Sequence, residues 1–192
     1  MFTHTLSRFE QNVITIHPGE YFASTDDVII STLLGSCVSV AFWDPHLKMG
    51  GLNHFMLPDD LENNDMTRSQ SAKYGMYAIE LLYNELFKAG SKKRDLVAKV
   101  FGGASVLMPR SASAKIPKDN IAFALAYLQK ENIPIIANDT GGILPRRIYL
   151  FAQSGKVLLK RIVGPMAGSV ERAELEYLDR IRRADARDAT LF

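Results

Sequence analysis

Residues 28–43, Val-Ile-Ile-Ser-Thr-Leu-Leu-Gly-Ser-Cys-Val-Ser-Val-Ala-Phe-Trp, decide the fold. Val28 to Leu34 is dense in β-branched and aliphatic residues and reads as a strand. Gly35-Ser36 breaks it, and Cys37 to Phe42 resumes as a second strand that Asp44-Pro45 ends. The run carries no charge, but it falls short of the roughly 20 apolar residues a membrane helix requires, and Gly35 interrupts it.

On the N-terminal side, Val13–Ile16 and Tyr21–Ala23 form short strands around a His17-Pro18-Gly19 turn, and residues 1–12 are expected to be loosely held. On the C-terminal side, Met49 to Phe55 is a third strand. The polar stretch from Pro58 to Gln70 lacks periodicity and is of the length that functional loops take. Tyr74, Tyr77, Ala78, Leu81, Leu82 and Leu86 then recur at helical spacing, with Ser71 as N-cap and Gly90 as stop. Leu96 to Phe101 is a strand running into Gly102-Gly103, Asp119 to Lys130 a second amphipathic helix, and Ile133 to Ala137 a strand before an Asn138–Gly142 turn. Arg147–Ala152 and Lys156–Val163 form a hairpin across Gln153-Ser154-Gly155. Residues 169–192 are a charged helix and tail, with Glu176/Arg180 and Asp179/Arg183 at i,i+4. Strands and helices alternate without strict βαβ order, so the class is a mixed, layered α+β domain.

Composition agrees. A chain of 192 residues, 47% apolar and 23% charged, is globular and long enough to bury a core. Its net charge of +2 gives no basic excess of the kind that selects nucleic acid. The one cysteine excludes an intrachain disulfide. The N-terminal residues show no basic start, apolar core and small-residue cleavage site, so the expectation is a soluble, cytoplasmic protein.

Known motifs fail: Gly102-Gly103 and Gly141-Gly142 do not extend to a dinucleotide or P-loop signature, and there is no HExxH or CxxC. The four histidines are scattered, so neither metal nor cofactor is expected. Cys37 remains. At a strand break, backbone N–H groups beside a thiol could bind an oxyanion and lower the thiol pKa. The alternative is a small buried hydrophobe, as free cysteine often is. His54 lies seventeen residues on, near the end of the third strand, where it could take the thiol proton; alone it reads equally as a core histidine.

Four blocks carry a resemblance. Leu34-Gly35-Ser36-Cys37-Val38, Gly51-Leu52-Asn53-His54-Phe55, Phe101-Gly102-Gly103-Ala104-Ser105 and Asp139-Thr140-Gly141-Gly142, in this order, resemble the CheD family of chemoreceptor glutamine deamidases. The resemblance implies a deamidase domain over 13–168. It implies an α/β/β/α sandwich of two mixed sheets, shared with cytotoxic necrotizing factor deamidase domains. It also implies a Cys-His-Thr set of which Cys37 and His54 match the first two. The family threonine stands six positions before the cysteine, where this chain has Ser31; since Thr32 would point to the opposite face, Ser31 is assigned. Gly35 and Ser36 belong to the substrate pocket, and Gly102, Gly103, Thr140, Gly141 and Gly142 shape it or its supporting turns. The implied reaction converts glutamine side chains of methyl-accepting chemotaxis receptors to glutamate without a cofactor, and the implied partners are those receptors and a CheC-type phosphatase. A cysteine peptidase and a non-catalytic chemotaxis binding module are the alternatives. The implied site is a thiolate at an open mouth.

Overall fold

The two strands of the opening stretch form as expected, but in different sheets. Val28–Leu34 is β4 and Val38–Asp44 is β5, so Gly35-Ser36-Cys37 is the link by which the chain crosses between sheets. The computed structural model describes residues 2–5, 9–58, 70–106 and 115–188. The expected loop after Pro58, the side chain of Ser71 and the last four residues lie outside them.

The first sheet adds β1 (Phe2–Thr5), β2 (Asn12–Thr15), β9 (Arg146–Phe151) and β10 (Val157–Arg161), in the order β1-β2-β4-β9-β10. The second adds β3 (Tyr21–Ser24), β6 (Met49–Asn53), β7 (Val97–Gly102) and β8 (Ile135–Thr140), in the order β3-β6-β5-β7-β8. β2 runs parallel to β4 and β7 to β8; every other pair is antiparallel, so both sheets are mixed. With three helices, this is the α+β domain that the sequence leads one to expect.

Side-chain alternation divides the core. Ile30 and Leu34 of β4, with Ile148 and Leu150 of β9, face Ala41 of β5 and Leu52 of β6 between the sheets. The other face of the second sheet presents Val38, Val40 and Phe42 of β5 and Ala98 and Val100 of β7. Helix α1 (Gln70–Lys88) covers it with Ile79, Leu82 and Leu86, and α2 (Ile116–Lys130) with Phe123, Ala124 and Leu128. Each of the fully buried valines, leucines, isoleucines and phenylalanines among them contributes about 1.5–3 kcal/mol. Gly90, with φ of +97°, ends α1 where the sequence places the stop.

The third helix, α3 (Pro165–Asp188), begins before the expected charged segment. Its buried Tyr177 and Leu178 join the cluster between the sheets, and it also reaches several loops. Tyr177 lies against Gly19, Arg182 Nε donates to the Pro58 carbonyl at 2.8 Å, and Glu174 reaches the Gly35–Cys37 link. β1 pairs with β2 in a stretch expected to be loose. β8 runs on through Asn138 and Asp139 because β7 offers it a parallel partner there, so the turn starts at Gly141. Among the described residues no helix is long and apolar enough to cross a membrane.

Candidate active site

The hydrogen bonds of the Gly35-Ser36-Cys37 link sort into two sets. All three carbonyls are held on one side: Gly35 O accepts from Ala104 N at 2.7 Å, Cys37 O from Gly103 N at 2.7 Å, and Ser36 O from Asn120 Nδ2 at 2.9 Å. The three N–H groups therefore point the other way and converge. Successive backbone N–H groups in such a turn make an anion-binding concavity. Here they meet the Glu174 carboxylate: Gly35 N and Cys37 N donate to Oε1 at 2.9 and 3.1 Å, and Ser36 N and Ser36 Oγ to Oε2, both at 2.7 Å.

The expected glycines build the rear wall of this nest. Gly102 has φ of +111°, and a Cβ there would run into the Cys37 carbonyl. Thr140, Gly141 and Gly142 act one step further back. Thr140 is in register with Gly102, Gly141 N donates to Gly102 O at 2.9 Å, and Gly142 O accepts from Ser105 N at 2.8 Å. The side chain of Arg146 is buried beneath that turn, bonded to the Asp139 carboxylate at 2.5 Å and to the Gly141 carbonyl.

His54 follows directly on β6. Its N–H donates to Glu20 O at 3.0 Å and its carbonyl accepts from Gly19 N at 2.8 Å, while Phe55 exchanges two hydrogen bonds with Val38. This pins the imidazole beside the thiol. Cys37 Sγ, a His54 ring nitrogen and a Glu174 carboxylate oxygen lie within 4.8 Å of one another.

The hydroxyl on the imidazole belongs to Thr32, which contacts His54 Nδ1 at 2.7 Å and donates to Ile16 O at 2.8 Å. A hydroxyl has one proton, and a carbonyl can only accept. With that proton on Ile16 O, Nδ1 must donate to Thr32, which leaves Nε2 with its lone pair. Nε2 is buried with no hydrogen-bond partner among the described residues, as a base awaiting a proton would be.

Ser31, expected in the role Thr32 takes, does not touch the imidazole. Its hydroxyl is buried without a partner among the described residues. The alternation rule holds, but the parity is the reverse of that expected: Thr32 shares the face of Ile30 and Leu34, which looks between the sheets toward β6.

The expected open mouth is also corrected. Cys37 is 0% exposed, His54 2% and Glu174 2%. Burial, and then the Glu174 charge, push the thiol well above its ordinary pKa rather than below it. Burial, and then His17, push His54 down to about 3. In this closed arrangement the pair is neutral thiol and neutral imidazole.

A Cys-His-Glu cluster invites comparison with a metal site. A carboxylate offers about four lone-pair sites. Those of Glu174 meet three N–H groups and a hydroxyl, so the donor set fits a hydrogen-bonded anion better than a metal ligand.

Three residues of the site went unread in the sequence. Glu174 carries a signal in retrospect. It interrupts a buried stripe of Val170, Tyr177 and Leu178 at i−4, i+3 and i+4, and a carboxylate on an apolar face needs a partner. Thr32 was legible from strand parity. Asn120, whose Oδ1 also accepts Leu57 N at 2.8 Å, had no local signal.

Comparison with known proteins points one way. The family model described as CheD chemotactic sensory transduction matches residues 56–161. That stretch begins two residues after His54, so Thr32, Cys37 and His54 lie outside it. A protein of Shewanella oneidensis named probable chemoreceptor glutamine deamidase CheD 1 is 43% identical over 91% of this chain and 84% of its own length. One of Herminiimonas arsenicoxydans, named probable chemoreceptor glutamine deamidase CheD, is 42% identical over 96% of this chain and 91% of its own. One of the same name from Laribacter hongkongensis is 41% identical over 91% and 84%. Among solved structures, Bacillus licheniformis hypothetical protein YfiH superposes with a TM-score of 0.41 at 13% identity, over 64% of this chain and 51% of that one.

Proposed function

The chain belongs to the CheD family, and on that premise we propose that it hydrolyses glutamine side-chain amides of methyl-accepting chemotaxis receptors to glutamate. The observation that carries the reading is the three-donor nest beside the Cys37–His54 pair. An acyl-transfer enzyme needs a nucleophile, a base within reach of it and donors aimed at the developing oxyanion.

The geometry supports the following roles. Thr32 holds His54 with Nε2 unprotonated. Nε2 takes the Cys37 proton as Sγ attacks the amide carbon. The carbonyl oxygen becomes an oxyanion in the nest of Gly35, Ser36 and Cys37 N–H groups. Protonated His54 gives its proton to the departing ammonia. Water, deprotonated by His54, then attacks the thioester, releasing glutamate and restoring the thiol. Each turnover places a carboxylate where a neutral amide stood. On a receptor helix this adds like-charge repulsion and shifts a signalling equilibrium.

The lone cysteine suits the reducing cytoplasm, where we place the reaction. A CheC-type phosphatase is a second partner by family resemblance; co-elution of the two chains tests it. The main experiment incubates the protein with a cytoplasmic receptor fragment and maps peptides by mass spectrometry. Chosen glutamines should gain the amide-to-acid mass increment with stoichiometric ammonia. Neither should appear with Cys37→Ala or His54→Ala; equal yield from Cys37→Ala refutes the nucleophile.

A further inference from the structure

Four donors of the nest are already satisfied, and by this chain's own glutamate. Glu174 sits on α3 among buried Val170, Tyr177 and Leu178, so a helix presents one carboxylate side chain into the oxyanion site. Glutamate is also what the proposed reaction leaves on a receptor helix. The fit is local. A Cβ on Gly35 would stand 2.6 Å from Glu174 Oε2, so the link is cut to admit this side chain. Tyr177 closes one flank, its hydroxyl 2.7 Å from that of Tyr74 on α1, and Arg182 ties the helix to the Pro58 carbonyl. The outer face of α3 is charged and solvated.

We infer that α3 is a built-in mimic of the modified receptor helix: Glu174 occupies the product position, α3 occludes Cys37, and a substrate helix must displace it to present its own glutamine. The inference rests on the deamidase reading and deepens it, by assigning the substrate's form and an autoinhibited resting state.

The mimicry has a chemical consequence. With Glu174→Gln, the amide oxygen keeps the Gly35 and Cys37 N–H bonds, while the NH2, which cannot accept, gives up the Ser36 N–H bond and donates to Ser36 Oγ; an amide then stands beside Sγ, and the enzyme is its own substrate. Sγ bonds to the amide carbon of the introduced glutamine, the C–N bond breaks, and ammonia leaves with the proton relayed from Cys37 by His54. Water then cleaves the C–S bond, leaving glutamate at position 174 and a free thiol.

The test uses the full chain. Glu174→Gln protein is purified with and without Cys37→Ala, and the tryptic peptide running from Ala173 to Arg180 is weighed. Conversion of residue 174 to glutamate only when Cys37 is present is the expected result. In parallel, Cys37 alkylation by iodoacetamide and receptor-fragment deamidation are timed for the unaltered chain, for Glu174→Ala and for Leu178→Ala. The last loosens α3 without touching the carboxylate. Both rates should rise at least tenfold in both variants, with circular dichroism showing the fold retained. An introduced glutamine that persists at position 174 in a protein still able to deamidate the receptor fragment, or alkylation and turnover no faster in both loosened variants, overturns the inference and leaves the deamidase reading standing. Faster alkylation with no deamidation of either residue 174 or the receptor overturns the deamidase reading itself.

Discussion

Thr32→Val is the sharpest probe of the site, because it deletes one hydroxyl and keeps the shape. In the folded protein that hydroxyl bridges Ile16 O and His54 Nδ1, both buried. Valine leaves a carbonyl and an imidazole N–H without partners. A buried group stripped of its partner costs about 1–3 kcal/mol, so two such groups cost about 2–4 kcal/mol once relaxation is allowed. For a chain of this size each kcal/mol lowers Tm by about 2–4 °C, which predicts a drop on the order of 10 °C. Activity should suffer separately. Without Thr32 the imidazole is free to carry its proton on Nε2, the tautomer that cannot accept from Cys37. An uncorrected tautomer costs a triad enzyme about 10⁴ in kcat. Since Nε2–H is only one of two accessible states here, about 10- to 100-fold is expected, with KM little changed. Thr32→Ser restores the hydroxyl and most of the rate. Ser31→Ala is the matched control: it removes a buried hydroxyl that has no partner among the described residues, so Tm should hold or rise and kcat should stay within about twofold. Ammonia release from a receptor fragment gives the rates, and differential scanning fluorimetry the melting points. A larger loss from Ser31→Ala than from Thr32→Val would show that the imidazole is oriented by the wrong neighbour in this account.

Further outcomes follow from other parts of the molecule. Burial holds the His54 pKa at about 3 in the folded state, against about 6.5 when unfolded. The unfolded chain thus binds the extra proton below about pH 6.5, and stability present above that value is lost as pH falls toward about 3. Between about pH 6.5 and 4.5 this costs about 2–3 kcal/mol, and His54→Gln should flatten that part of a urea-midpoint profile. Gly102→Ala should abolish soluble expression or lower Tm by more than about 10 °C, because both the positive φ and the Cys37 carbonyl oppose a Cβ. Arg146→Met should cost about 1–3 kcal/mol by urea denaturation, since it strips a buried donor from the Asp139 and Gly141 carbonyls behind the nest, while the Asp139 carboxylate keeps Arg161.

What the sequence disclosed and what it hid have a common physical root. β4 and β5, both edges of the Gly35-Ser36 break, and the apolar stripe of α1 were legible because burial writes a period of two or of three and four into consecutive residues. Cys37 and His54 were singled out by the resembling blocks, since a strand, a turn and a return strand allow the two to meet but leave each readable as a core residue. Glu174 was not: it meets Gly35 across 139 positions, and no local pattern encodes a contact of that range. The Ser31 assignment failed for a narrower reason. Alternation says that neighbours face oppositely, but only the identity of the buried face says which one faces the histidine. Ile30 and Leu34 both face the inter-sheet core, and that would have decided it.

A fully buried thiol with a raised pKa would ordinarily argue against a nucleophile. The rise, however, has two sources, burial and Glu174, the latter acting by its charge and by a side-chain hydrogen bond, and the same helix contributes to both. Burial comes first, and α3 contributes to it through buried Glu174 and Tyr177. The Glu174 charge comes second, and it is held in place by the three N–H groups that would otherwise favour an anion at this turn. Moving α3 aside reverses both causes and frees the donors at once. Thiol acidity and oxyanion stabilisation are therefore not independent properties of this site but two readings of one displacement. The pH dependence of alkylation should reveal it. In the unaltered chain the rate should climb only well above the ordinary thiol range, whereas Glu174→Ala should move the climb to lower pH. If the variant alkylates faster with the same inflection, α3 governs access alone and the electrostatic half of the argument is lost.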